Sequence, residues 1–356
     1  FDTVHRGTMM AILRAYGIPS VIVDVIRLLY TGTKAKVVTS DGQTDLFDIL
    51  AGVLQGDTLA PYLFVIVIDY CMNEAIGDDE AALGLTLVPA KSRRVKPVSI
   101  VDAEFADDIA LLSNDIRQAD ELLKRVERSA KKVGLHMNES KTKVLGVNID
   151  TSGKITTDAG NTLETVEDSV YLGAWVESTE HDIKVRKAKA WAACHKLKTI
   201  WKSKLSDCLK RRLFIATVES VLLYGSETWT LDKRLEKGLD GCYTRMLRMA
   251  MNVNWRDHMT NKELYGKFPQ VTAKIRQRRL KLAGHCQRHP ELLAQKLILW
   301  EPTQGYSRKG RKKYSFIEGL RDDTGLRDVK EIRTMMENRE LWRDLSNDVR
   351  EIKHPP

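Results

Sequence analysis

Between residues 98 and 113 a stretch of apolar and small side chains is interrupted by two adjacent carboxylates, Asp107 and Asp108. Neighbouring like charges in apolar surroundings are costly unless water or a cation reaches them. The stretch therefore predicts strand, tight turn, strand, with Phe105-Ala106-Asp107-Asp108 at the tip and the flanking strands holding both carboxylates at the sheet surface. A divalent cation such as Mg²⁺, which takes hard oxygen ligands and keeps positions open for phosphate oxygens, satisfies such a pair. A solvated acidic turn satisfies it too, so the pair acquires meaning only from its neighbours.

Those neighbours are ordered along the chain. Residues 8–30 read as two helices broken at Gly17-Ile18-Pro19, and residues 34–49 as extended, with a turn at Ser40-Asp41-Gly42. Residues 51–61 form a Gly-punctuated loop, with Gly52-Val53-Leu54-Gln55-Gly56-Asp57 placing small residues around one amide, and an apolar helix over 62–76 follows. Residues 81–96 read as a surface hairpin or loop with a basic tip. Beyond the acidic pair, Ile116, Ala119, Leu122, Leu123, Val126, Ala130 and Val133 make one helical stripe, with a cap at Asn114 or Asp115 and a stop at Gly134. A strand over 143–147 and strand signals over 166–176 come next. From there helices dominate, over 182–201, 206–224, 233–251 and 261–282, before a cationic loop at 304–314 and two last helices.

Charge divides the chain. Residues 1–150 hold 17 Lys and Arg against 21 Asp and Glu, a net −4, leaving +13 of the chain's total of +9 to the remainder. Residues 183–212 hold eleven cations and one acid, and residues 271–315 twelve and two. Two patches of that density predict a polyanionic partner, nucleic acid above all. The aromatic residues among them (Trp191, Trp201, Trp300 and Tyr306) sit at helical spacing and read as core. The longest near-continuous apolar run, 63–71, contains Asp69 and is too short to span a bilayer. Five scattered cysteines without C-x-x-C pairs argue against a disulfide or Cys-rich zinc framework and for a reducing compartment. His285, Cys286 and His289 lack a second ligand pair and read as helix-end packing residues.

Taken in order, these segments resemble the reverse-transcriptase domain of non-LTR (LINE-type) retrotransposons, RTE-like elements in particular. Phe1-Asp2-Thr3-Val4-His5-Arg6 is similar to the end of that family's first palm motif, and residues 52–61 with Leu63-Phe64 to its second. Phe105-Ala106-Asp107-Asp108 matches the polymerase signature, residues 134–143 the motif after it, and Tyr171-Leu172-Gly173 the primer-grip hairpin. Leu223-Tyr224-Gly225-Ser226-Glu227-Thr228-Trp229, the 279–285 segment and the stretch from Trp300 to Arg343 are similar to the clade's C-terminal region.

The resemblance implies RNA-directed DNA polymerisation by two-metal nucleotidyl transfer, with Mg²⁺ as cofactor and Mn²⁺ as a substitute. It implies Asp107 and Asp108 as metal ligands, Gln55 and Gly56 lining the nucleotide pocket, and Phe1 screening the sugar 2′ position. Lys141, with Lys143 as rival, stands near the leaving pyrophosphate, and Tyr171, Leu172 and Gly173 grip the primer. Lys184, Arg186, Lys187, Lys198, Lys202, Arg279, Lys281, Lys309, Arg311, Lys312 and Lys313 are the expected nucleic-acid contacts. The expected partners are an RNA template, a DNA primer and deoxynucleoside triphosphates, without a membrane, in an intracellular and, for the parent element, nuclear setting. The family's first-motif Asp lies five residues before the aromatic residue, so Asp2 is not that ligand. The chain then reads as a C-terminal polyprotein fragment lacking one catalytic Asp.

The implied architecture is an α/β (α+β) polymerase palm remnant over 1–150, a primer-grip hairpin and all-helical thumb over 151–235, and a basic helical C-terminal region over 236–356. The alternative is a non-catalytic nucleic-acid-binding remnant of a decayed or domesticated element.

Overall fold

The computed structural model describes residues 1–348 apart from Gln55, Lys91, Arg93, Arg94, Lys96, Asn148, Asp150, Thr151, Ser152, Glu177, Lys267 and residues 302–313. Helices predominate, and the strands pair two by two. The chain divides into two units, Phe1–Leu172 and Gly173–Pro356. No helix among the described residues is long and apolar enough to cross a membrane.

The first unit is built around the helices Ala60–Ile76 and Ile116–Lys132. Ala60–Ile76 is apolar nearly all round, yet it buries one face, with Leu63, Phe64, Val67, Ile68, Cys71 and Met72, and leaves Tyr62 and Val65 exposed on the other. It begins two residues earlier than its hydrophobic pattern suggests because Pro61, which fixes φ and needs no donor, fits the first turn. Ile116–Lys132 starts on an Asp115 carboxylate that accepts from Arg117 N and Gln118 N, each at 2.9 Å. It carries three ion pairs with the acid four residues before the cation, Asp120–Lys124, Glu121–Arg125 and, from a buried carboxylate, Glu127–Lys131. Gly134, at φ 84°, ends it. The helices Arg6–Ala15 and Ser20–Tyr30 complete this core.

The 81–96 stretch resolves into a short helix, Glu80–Leu83, and a strand, Leu85–Val88, which pairs antiparallel with Val98–Ile100. Most of its basic tip lies outside the described residues.

The second unit is helical. Thr179–Lys196, Lys233–Ala250 and Val271–Gln287 are its long helices, around a core that includes Trp201, Phe214, Leu222, Trp229 and Met246. Three expectations are corrected here. The expected helix over 206–224 contains a π-turn, Ile215–Glu219, whose last residue turns a buried carboxylate to Tyr243 Oη at 2.5 Å and Lys274 Nζ at 2.6 Å. The expected helix over 261–282 is two, Asn261–Tyr265 and Val271–Gln287, because Gly266 takes φ 58° and Pro269 follows. The two final helices are three, Phe316–Thr324, Val329–Glu337 and Arg339–Asp348, separated by Gly325 at φ 72° and by Asn338, whose side chain accepts from Glu340 N and Leu341 N.

Candidate active site and nucleic-acid interface

Strands Asp102–Phe105 and Asp108–Leu111 pair antiparallel with Phe105 opposite Asp108, which leaves Ala106 and Asp107 as a two-residue turn. The first turn position has φ 55° although it is an alanine, a conformation that L-residues adopt only at some cost and that surrounding structure must enforce. Both carboxylates of the pair are exposed, and neither makes an ion pair or hydrogen bond among the described residues. Behind them Ile109 and Leu111 pack on the same apolar cluster as Phe1, Val53 and Leu54. Apolar anchors two and four residues from the tip thus fix a carboxylate pair that is itself free.

The surroundings of the pair are acidic. Burial, then the hydrogen bond and charge of Asp102, then the charge of Asp69 push the Glu104 carboxyl up to about 7. Asp69 accepts from Tyr16 Oη at 2.6 Å and Asn73 Nδ2 at 3.1 Å. Tyr171 donates its hydroxyl to Ala103 O at 2.8 Å and lies 3.4 Å from Asp108 O, so it bridges the two strands of the hairpin from the side. Burial raises its phenol pKa first, and the charges of Asp108, Glu104 and Asp102 raise it further. Unpaired hard-oxygen ligands in an acidic setting fit a divalent cation. Among the described residues no three His, Cys, Asp or Glu side chains converge into a complete ligand set.

The opening segment is threaded between two glycines. Val53 N donates to Phe1 O and Gly52 N to Val4 O, each at 2.9 Å, while on the other side His5 N donates to Val133 O at 2.9 Å. A Cβ on Gly52 would stand 2.6 Å from the Asp2 backbone, and one on Gly134 would stand 2.4 Å from Thr3 O. Only glycine permits both approaches. Arg6 fastens the assembly by donating to Gly52 O, Tyr30 O, Thr33 Oγ1 and Ile49 O at 2.7–3.0 Å. The Phe1 ring stacks on Phe64 with centroids 4.2 Å apart. Gln55 lies outside the described residues, and Gly56 is exposed at φ 90°. Lys143 is held by Glu164 across a parallel strand pair, whereas Lys141 is exposed and has no ion pair among the described residues.

Leu172 at φ 48° and Gly173 at φ 80° are consecutive left-handed residues, the geometry of a tight hairpin turn. In the second unit Gly173 O accepts from Arg186, whose guanidinium lies over the Tyr224 ring at 4.3 Å and 3.5 Å from Asp182. The Asp182 carboxylate also accepts the Trp229 indole N–H at 2.8 Å. Trp229 O in turn accepts from Arg279, which pairs with Asp323 at 2.8 Å. Arg186 and Arg279 are therefore corrected: both are buried and committed to internal acceptors, and they do not face a nucleic acid. Lys184, Lys198, Lys202 and Lys281 are exposed, Lys187 is half-buried, and Lys309, Arg311, Lys312 and Lys313 lie outside the described residues. Sequence reasoning missed Asp182, Trp229 and Asp323 as buried partners of these arginines, and the exposed Tyr224 ring beneath Arg186. The four-residue spacing of Asp182 and Arg186 was their only local sign.

In the His285, Cys286 and His289 group, Cys286 is buried, the two imidazole centroids are 4.4 Å apart, and His289 Nδ1 contacts Glu291 at 2.7 Å.

Residues 1–176 match the family model for reverse transcriptase (RNA-dependent DNA polymerase). A transposon-derived protein of Caenorhabditis elegans is 26% identical over 250 residues, which span 66% of this chain and 89% of that protein. The Pol polyprotein of the type-2 retrotransposable element R2DM of Drosophila melanogaster is 28% identical over 147 residues, 41% of this chain and 13% of the polyprotein. That of the type-1 retrotransposable element R2 of Popillia japonica is 32% identical over 114 residues, 32% of this chain and 17% of the polyprotein. The aligned segments thus cover a small part of either polyprotein. The family model and the relatives converge: residues 1–176 belong to the reverse transcriptases, of the kind carried by non-LTR retrotransposons.

Proposed function

We propose that this chain extends a DNA primer along an RNA template by nucleotidyl transfer from deoxynucleoside triphosphates, with Asp107 and Asp108 holding the divalent metal. The observation that carries this reading is the unpaired carboxylate pair at a strained turn, backed by the cluster that also seats Phe1 and the Gly52–Leu54 loop. When bound there, Mg²⁺ supplies charge neutralisation for the phosphates and acidifies the attacking hydroxyl. The residues of the chain do the positioning. Phe1, stacked against Phe64, presents a wall where a sugar 2′-hydroxyl would clash. The Gln55-Gly56 loop lines the base and sugar, Lys141 offers its ammonium to the departing pyrophosphate, and the Tyr171-Leu172-Gly173 turn meets the primer end. A palm over 1–150, a thumb to 235 and a basic region beyond it organise these parts.

A second reading, nucleic-acid binding without catalysis, is favoured by one observation, the lack of a third converging ligand among the described residues. Mn²⁺ titration followed by electron paramagnetic resonance distinguishes the two. The polymerase reading expects Asp107→Asn and Asp108→Asn each to weaken Mn²⁺ binding by about tenfold or more, as loss of a metal ligand should. Equal Mn²⁺ affinity in the parent and both variants would leave the binding-only reading standing.

A further inference from the structure

Six of the seven tryptophans are buried or half-buried, whereas Trp255 is 78% exposed. Its position is not that of a loose loop. It opens a single 3-10 turn, Trp255–Asp257, between two non-glycine residues in left-handed conformations, Asn252 at φ 55° and His258 at φ 49°. The Asp257 carboxylate accepts Asn254 N at 2.6 Å, closing the turn on itself. Arg248 reaches from the preceding helix to Met259 O at 2.7 Å and Asn261 Oδ1 at 3.0 Å, tying down the exit. The fold thus spends backbone strain and three hydrogen bonds to hold an indole in water, where exposed apolar surface gains nothing.

The chemistry around the ring narrows what it meets. The Arg256 guanidinium lies 5.4 Å from the ring centroid. Arg245, Arg248, Arg256 and Lys262 surround the turn in sequence, against Asp257 and Glu263. Both of those acids are folded back onto backbone amides, Asp257 onto Asn254 N and Glu263 onto Thr260 N at 2.7 Å, so the outward charge is cationic. A flat π-face with guanidinium groups beside it matches an unpaired nucleobase and its phosphates, the pairing that single-strand-binding surfaces use.

We propose that Trp255, with Arg256, is a stacking site for one unpaired nucleobase of a bound RNA or single-stranded DNA. The site rests on the nucleic-acid reading of the second unit and is independent of the metal pair in the first. Stacking is carried by the ring, so the sugar is secondary, and a paired base within a duplex has no free face to offer.

The test uses the full chain, its Trp255→Ala and Trp255→Phe variants, and fluorescence anisotropy with U20, dT20 and a blunt 20-base-pair DNA duplex. Removing one base–aromatic stack corresponds to about fivefold to a hundredfold in affinity. Trp255→Ala is expected to weaken U20 and dT20 by about tenfold and the duplex by less than about twofold, with Trp255→Phe close to the parent. A loss on U20 alone would assign the site to RNA, and on dT20 alone to DNA. Equal losses on single strand and duplex, or no loss at all, would overturn the stacking site while leaving nucleic-acid binding intact. Failure of the parent to bind any of the three would overturn both. A 4-thiouridine in U20 should photo-crosslink to residues 252–259; crosslinks confined to other segments would contradict the proposal even if the affinities shift.

Discussion

The two units handle charge in opposite ways. Phe1–Leu172 has 18 Lys and Arg against 25 Asp and Glu, a net −7, and its most telling residues, Asp107 and Asp108, are exposed and, among the described residues, unpaired. Gly173–Pro356 has 39 against 23, a net +16, yet Arg186, Lys210 and Arg279 are buried. In the first unit the charged motif lies at the surface. In the second, part of an apparent binding patch is internal scaffolding. Charge density alone therefore does not say which cations are free to meet a polyanion; burial does.

The comparison breaks most visibly at Asp323. Burial raises its pKa despite the opposing Arg279 and Arg276; buried Arg279 pairs with it at 2.8 Å, while half-buried Arg276, 3.5 Å away, has its nearer partner in Glu236 at 2.7 Å. Asp323→Ala should cost about 3–5 kcal/mol, since it strands the buried Arg279 cation. For a unit of this size that is on the order of ten degrees of melting temperature. Calorimetry with hydrogen exchange should show the loss in residues 173–348 and leave residues 1–172 unchanged. A uniform loss would mean that the two units do not stand separately.

A smaller effect sharpens the division between surface and scaffold cations. Replacing Lys184, Lys198, Lys202 and Lys281 by Gln should leave melting unchanged and flatten the salt dependence of duplex binding by about 0.9 for each phosphate that is no longer neutralised. Arg186→Gln should do the reverse, lowering the melting temperature while keeping the salt slope. If Arg186→Gln moves only the slope, its guanidinium is not committed to Gly173 O and Asp182 as described.

Much of the first unit was legible because its determinants are local. The turn at Ala106-Asp107, the Asp115 cap, the stripe from Ile116 to Val133 and the stop at Gly134 each lie within a few residues of what they control. The reasons for Gly52 and Gly134 were not legible, because the segment each admits lies about 50 and 130 residues away. The same holds for Trp229, whose indole finds Asp182 across 47 residues. Local pattern also overran the breaks at Gly266 and Gly325, where one residue in a left-handed conformation ends a helix that the apolar period would continue.

The smallest expected effect is electrostatic. With its pKa raised to about 7 from an ordinary 4.5, Glu104 holds a proton in the folded state that the unfolded chain has released between those values. The first unit should therefore lose stability as pH rises from about 4.5 to 7 and lose no more from this group above that. Glu104→Gln should flatten that decline and melt slightly higher than the parent at pH 8. An identical pH profile in the variant would show that the acids around it do not perturb Glu104.

The central claim, that Asp107 and Asp108 form the metal end of a polymerase site, is tested most directly by replacing Mg²⁺ with Fe²⁺ and mapping where hydroxyl radicals cut the backbone. The account predicts cuts at residues 105–109, suppressed by excess Mg²⁺ and abolished in Asp107→Asn. Cleavage that spares the hairpin, or that concentrates around His285 and His289 and persists in Asp107→Asn, would contradict it.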